Sequence, residues 1–313
     1  MNKRFKIVFM GTPDFAVPAL AALHECRHEV KLVVTQPDRP RGRGRKLTPS
    51  PVKTAARKMG YDIVQPETIR DRALEKHLRE LAPDLFIVVA FGHILGKKLL
   101  QVPRIGAINI HASLLPKYRG PAPIQWAILN GEKKTGVTTM FMDDGMDTGD
   151  ILLSTKVEIR PDDTSATLHD RLALLGGDLL VKTLSAIETG ETIPLPQDHD
   201  QATYTTLLKK EDGRIDWEKP VESLDAFIRG MSPWPGAFTF FEDKRLKIFA
   251  ADPVPLDVAE KPGTVVRGFP DELRVAAGKG VLLVQEIQGA SGKRLKIKDF
   301  LKGCRIPPGT VLR

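Results

Sequence analysis

The strongest constraint in this sequence is a set of short apolar runs, rich in β-branched residues, separated by stretches of helical spacing. Phe5 to Met10, Val30 to Thr35 and Leu85 to Ala90 (Leu-Phe-Ile-Val-Val-Ala) are apolar at most positions rather than at alternate ones. A strand of that kind has no face to give to water, so it belongs in a sheet covered on both sides. Phe15 to Glu25 lies between the first two runs with helical spacing, and Pro18 near its start is tolerated in a first turn, where the missing amide donor costs little. Arg72 to Leu81 is a second helix-like stretch before the third run. This alternation predicts an α/β fold, a doubly wound, Rossmann-like parallel sheet with crossover helices. Ala107 to Ile110 and Val137 to Met142 supply further strands, and Ser165 to Glu188 reads as a long amphipathic helix.

The chain has 313 residues, and one compact domain takes roughly 100 to 200, so a second domain is expected. Gly190, Pro194 and Pro196 interrupt all periodicity. We therefore expect a sheet domain over residues 1–190, a linker over 191–207 and a C-terminal domain over 208–313. After Trp217 the rhythm changes to short strands with turn residues between them: Phe238 to Phe241, Leu246 to Ala250, Gly263 to Val266, Leu273 to Ala276 and Val281 to Glu286. Such spacing predicts a small antiparallel β-barrel of the oligonucleotide-binding (OB-like) kind. Lys293 to Lys298 alternates charged and apolar residues as a basic-faced strand would.

With 42% hydrophobic and 27% charged residues, the composition is that of an ordinary globular chain. The apolar run Ile7 to Met10 is ended by Gly11-Thr12-Pro13-Asp14, too soon for a secretory segment of about 7 to 15 apolar residues, and reads as a first strand. No run is long enough to span a bilayer, so no membrane association is expected. Only Cys26 and Cys304 are present, with neither disulfide-framework nor metal-ligand spacing. These features predict a cytoplasmic protein without a metal. The net charge of +8 leans toward polyanionic partners.

Gly11-Thr12-Pro13-Asp14-Phe15 occupies the position of a dinucleotide fingerprint but lacks its second and third glycines, which excludes a nicotinamide or flavin enzyme. Asn109-Ile110-His111 is more informative. Residues two apart on a strand share a face, so Asn109 and His111 project together while Ile108 and Ile110 turn to the core. An amide donor then stands beside a titratable imidazole at a strand end, where open α/β sheets bind ligands. The proline-punctuated loop Ser113 to Pro123 follows and can hold its backbone against a flat ligand. Asp143 to Asp150 is a glycine-hinged acidic loop. As a calcium loop it fails, because Gly145 falls at a ligand position and Ser154 where a bidentate Glu is needed. Its better use is to bring one carboxylate to the histidine, fixing the imidazole's orientation and favouring its charged form.

Asn109-Ile110-His111, Ser113-Leu114-Leu115-Pro116 and Asp147-Thr148-Gly149-Asp150, in this order, resemble the active-site motifs of folate-dependent formyltransferases. The resemblance implies a catalytic trio of Asn109, His111 and Asp147, with Ser113, Leu114, Leu115 and Pro116 bordering the folate. It implies 10-formyltetrahydrofolate as cosubstrate and direct transfer to a neutral amine. Asn109 and a protonated His111 would stabilise the charge developing on the formyl oxygen, and His111 would shuttle a proton to the leaving nitrogen. Phe91-Gly92-His93-Ile94, at the end of another strand, is a further edge for the pterin or part of the core.

The acceptor rests on a different segment. Arg39, Arg41, Arg43, Arg45 and Lys46 fall in a glycine-rich stretch with no acid among them, which can wrap phosphates and order on contact. This stretch resembles a basic insertion in the tRNA-acting branch of the family, and the appended barrel resembles that branch's C-terminal domain. The resemblance implies initiator methionyl-tRNA as partner and N-formylmethionyl-tRNA, used to begin translation, as product. A monomer is expected. Nucleotide-sugar formylation and non-catalytic RNA binding are the competing readings.

Overall fold

The computed structural model describes residues 4–41, 44, 46–269, 271–290 and 292–313. Contacts divide the chain into two compact units: 1–123, 134–158 and 169–205 form the first, and 124–133, 159–168 and 206–313 the second.

The first unit is built on seven strands: β1 (Lys6–Gly11), β2 (Glu29–Val34), β5 (Ile63–Val64), β6 (Leu85–Val89), β7 (Gly106–His111), β8 (Lys134–Phe141) and β9 (Ile151–Glu158). β3 (Arg39–Arg41) and β4 (Lys46–Thr48) form a separate two-stranded antiparallel ribbon. The sheet order is β5-β2-β1-β6-β7-β8-β9. The first five strands are parallel, as the unbroken apolar runs require; every residue of β6 is buried. Helices α1 (Val17–Glu25), α2 (Pro51–Lys58), α3 (Arg72–Glu80) and α4 (Lys97–Leu100) lie in the crossovers. The chain direction across the sheet reverses between β1 and β6, so the carboxyl ends of β1, β6 and β7 border the crevice where open sheets take ligands.

Two features depart from a purely parallel sheet. The strand expected at Val137 to Met142 is β8, which runs antiparallel to β7, and β9, which the sequence reading did not include, closes a hairpin with it. β9 was missed because its burial is patchy, with exposed Ser154, Lys156 and Glu158 among its residues. Helix α5 (Pro123–Leu129) precedes β8, and α6 (Ser165–Thr189) supplies the long helix expected at Ser165 to Glu188.

The second unit carries α7 (Val221–Met231) and the antiparallel strands β10 (Ala237–Phe241), β11 (Lys244–Val254), β12 (Leu273–Ala276), β13 (Val281–Gln288) and β14 (Leu295–Lys296). Gly263 to Val266, expected as a strand, forms only isolated bridges, yet it has a role. Its amides and carbonyls bond Ala276 and Arg274 to one side and Thr310, Gly309 and Leu312 to the other, and Arg313 then exchanges two bonds with Phe240 of β10. Hydrogen bonding thus runs from β12 through 263–266 and the C-terminal residues back to β10, which removes exposed sheet edges. The expected basic strand Lys293 to Lys298 is shorter than its alternation suggested: β14 ends at Lys296 and α8 (Ile297–Gly303) begins, burying Ile297 and Phe300.

Candidate active site

Strand β7 carries Asn109 and His111 on one face, and the next loop returns to lock the imidazole. His111 is buried, and its Nε2 lies 2.8 Å from the carbonyl oxygen of Tyr118. A carbonyl only accepts, so Nε2 carries the hydrogen, and Nδ1 is the nitrogen left to gain and lose a proton. Nδ1 faces Asp147 Oδ2 at 3.5 Å. The carboxylate has two further partners: the Gly120 amide donates to Oδ2 at 2.8 Å, and Asn109 Nδ2 approaches Oδ1 at 3.4 Å. Asp147 keeps 16% of its side-chain exposure against 7% for His111, so solvent or a substrate reaches this group through the carboxylate side.

The loops achieve this with unusual backbone. Asp147 itself has φ +54 and Tyr118 has φ +62, left-handed conformations that non-glycine residues adopt only when their surroundings hold them. Gly149 admits nothing larger, because a Cβ there would collide with the Phe141 carbonyl, and Gly120, at φ +99, presents its amide to the carboxylate. The sequence reading placed Asp147 but not what holds it.

The Ser113-Leu114-Leu115-Pro116 segment leaves the end of β7 next to these groups. Ser113 is fully buried and its hydroxyl donates to the Lys117 carbonyl at 2.6 Å, so it braces its own loop. Thr138 of β8 holds the same loop twice, donating to Ser113 O at 2.7 Å and accepting from Leu115 N at 3.3 Å. Leu115 is buried; Leu114 and Pro116 keep partial exposure. At the end of β6, Phe91 is buried while Ile94 is 83% exposed, so only part of Phe91-Gly92-His93-Ile94 belongs to the core. The Phe91 carbonyl accepts from Thr12 Oγ1 at 2.9 Å and Gln36 Nε2 at 3.1 Å, tying this loop to the one after β1.

The basic stretch is not a featureless loop. Its arms pair antiparallel as β3 and β4, with Arg39 opposite Thr48 and Arg41 opposite Lys46. Arg39 and Lys46 are exposed; Arg43 and Arg45 lie outside the described residues. The ribbon is anchored at its base by Asp38, whose carboxylate receives Lys53 Nζ at 2.7 Å on both oxygens and Gln65 Nε2 at 2.8 Å. These bonds hold the Asp38 carboxyl below its usual range. Among the described residues no group of three or more His, Cys, Asp or Glu is placed to hold a metal ion, and no helix is long and apolar enough to cross a membrane.

Residues 4–184 match the formyl transferase family model and 207–305 match the formyl transferase C-terminal domain. The chain is 48% identical over 309 residues to methionyl-tRNA formyltransferase of Caldanaerobacter subterraneus subsp. tengcongensis, covering 98% of this chain and 100% of that relative. The chain belongs to the methionyl-tRNA formyltransferase family. The family member of Pelotomaculum thermopropionicum is 49% identical over 308 residues, 98% of each chain. Among solved structures, HypX of Aquifex aeolicus in complex with tetrahydrofolic acid superposes with a TM-score of 0.65 at 19% identity. That match covers 98% of this chain and spans about half (49%) of HypX, and it shows a shared fold. Set against the methionyl-tRNA formyltransferase family, the motifs quoted from the sequence fall together in space: Asn109, His111 and Asp147 meet within 3.5 Å contacts, beside Ser113 to Pro116.

The sequence reading missed Arg119, Gln197, Thr203 and Thr205. Residues 191–207 read as a linker, yet 191–205 belong to the first unit and hydrogen-bond both the Tyr118-Arg119-Gly120 loop and the Asp147 loop. Proline and glycine content gave the segment the look of a tether, and a single buried polar residue, Gln197, gave no periodic signal.

Proposed function

We propose that this chain transfers the formyl group of 10-formyltetrahydrofolate to the amino group of methionine on initiator tRNA. The observation that carries the chemistry is the convergence of Asn109, His111 and Asp147 at the carboxyl end of β7, in a chain 48% identical to a methionyl-tRNA formyltransferase.

Each residue has a part that its geometry supports. The Asn109 amide, held near Asp147 Oδ1, donates to the formyl oxygen as negative charge develops there. His111, locked at Nε2 by the Tyr118 carbonyl, exchanges a proton at Nδ1. The proton lost by the attacking amine passes through His111 and Asp147 to the folate nitrogen, as its bond to the formyl carbon breaks and the amine's bond forms. The Asp147 carboxylate beside it holds the imidazole in register. No protein nucleophile is required.

The residues present suit a flat cosubstrate. Leu114, Pro116 and Ile94 offer partly or fully exposed apolar edges beside the strand ends. Arg39, Arg41, Arg43, Arg45 and Lys46 grip the RNA backbone, with the second unit supplying a further binding surface, and the protein works as a monomer in the cytoplasm, where aminoacylated tRNA and reduced folate are found together. His111→Ala, assayed with charged initiator tRNA and 10-formyltetrahydrofolate, is expected to lose roughly 100- to 10,000-fold in kcat while its circular dichroism spectrum is unchanged. A folded variant that turns over like the parent would refute the assignment.

A further inference from the structure

Arg119 is the largest fully buried side chain among the described residues, with no exposed surface, and no step above uses it. Its hydrogen bonds go to neutral acceptors. Nε and Nη2 donate to Gln197 Oε1 at 3.1 and 2.8 Å, and Nη1 reaches Tyr204 Oη and His199 Nδ1, each at 3.1 Å. A buried guanidinium is expensive unless its donors are satisfied, so its retention at this spot calls for a task.

That task is visible at the other end of Gln197. Its Nε2 donates to the carbonyls of Asp147 at 2.8 Å and Gly149 at 2.7 Å, the two residues flanking Thr148 in the acidic loop. The amide is thereby given one orientation. Turned over, it would set NH2 against the guanidinium and its oxygen against two carbonyls, so Arg119 dictates which way Gln197 points. The residue after Arg119 acts on the same target, since the Gly120 amide donates to Asp147 Oδ2. Arg119 is itself fixed through its backbone, donating to Thr203 O and accepting from Thr205 N, both at 2.8 Å. Asp147 is therefore held at its carboxylate by Gly120 and at its carbonyl by Gln197, in a backbone conformation (φ +54) that would otherwise relax.

We infer that Arg119 and Gln197 are positioning residues for the transfer reaction, a relay that holds Asp147 in register with His111. The inference rests on the catalytic role proposed for Asp147. It also explains why 195–205 folds back on the first unit: the segment delivers Gln197.

Gln197→Glu separates positioning from stability. A carboxylate keeps and strengthens the pairing with Arg119 but cannot donate to the Asp147 and Gly149 carbonyls. The variant is expected to melt no earlier than the parent, to lose roughly 10- to 100-fold in kcat, and to leave KM for 10-formyltetrahydrofolate and for initiator methionyl-tRNA within about twofold. Part of the kcat loss should be recovered as pH is lowered and the introduced acid regains a hydrogen to donate, a response that a purely structural role would not give. Gln197→Met, which has no donor at any pH, is expected to show the same loss without that recovery. Unchanged kcat in either folded variant would overturn the inference, as would loss of fold in both, which would make the relay a structural staple. Asp147→Asn is measured in parallel. If it retains full turnover, the reading of Asp147 falls; if it is inactive while the Gln197 variants are not, only the relay falls.

Discussion

At the residue scale, the tautomer of His111 decides what the site can do. Because Nε2 is committed to the Tyr118 carbonyl, the proton exchange we propose uses Nδ1, the nitrogen that meets Asp147. In the proposed transfer Asn109 contributes a donor and no proton, so Asn109→Ala should cost roughly 100- to 1,000-fold in kcat with little change in the pH at which the rate levels off. A shifted pH profile would show that Asn109 acts on the imidazole instead of the formyl oxygen. Much of this trio was legible in the sequence, because the two-residue strand period alone aligns Asn109 with His111. Asp147 was legible only through its motif. Arg119 and Gln197 were not legible at all: their partners are backbone carbonyls, a side-chain amide, an imidazole and a phenol 48 to 85 positions away, and no local period records such bonds.

At the element scale, the ribbon β3–β4 shows what a charge run cannot tell. Composition identified a basic, glycine-containing segment, while the pairing of its arms and the anchor of Asp38 to Lys53 and Gln65 depend on residues up to 27 positions away. Replacing Arg39, Arg41, Arg43 and Arg45 with Ala should weaken binding of initiator tRNA and flatten its dependence on salt concentration, because fewer phosphate contacts release fewer counterions. Binding titrations at several salt concentrations check this. Equal slopes for parent and variant would move the RNA contact elsewhere, and a changed KM for folate would show that the ribbon supports the cosubstrate site as well. β9 and α8 escaped the sequence reading for a different reason: patchy burial and alternating charge resemble loop and strand until tertiary contacts choose.

At the scale of the whole molecule, the parallel core followed directly from runs with no polar face, and the barrel from the spacing of short strands. Its closure did not, since the last strand-like step is made by 263–266 and the C-terminal residues without a regular ladder. Stability should also carry a mark of how the first unit begins. His28 Nδ1 accepts the Phe5 amide at 3.3 Å and the two rings stack at 4.9 Å. Burial, with Arg27 and Arg4 nearby, lowers the His28 pKa from the ordinary 6.5. The unfolded chain then binds a proton that the folded one refuses, so stability falls as pH drops below about 6.5 until the folded value is passed. Urea midpoints measured from about pH 7.5 to about pH 5.5 should fall less steeply in His28→Gln than in the parent. Identical slopes would assign the acid sensitivity to other groups.

The most direct test of the central claim is transfer of labelled formyl from 10-formyltetrahydrofolate to three acceptors offered side by side: charged initiator tRNA, charged elongator methionine tRNA and glycinamide ribonucleotide. The account predicts label on the initiator species, with little on the other two. Label on glycinamide ribonucleotide, or on none of the three with the protein folded, would contradict it.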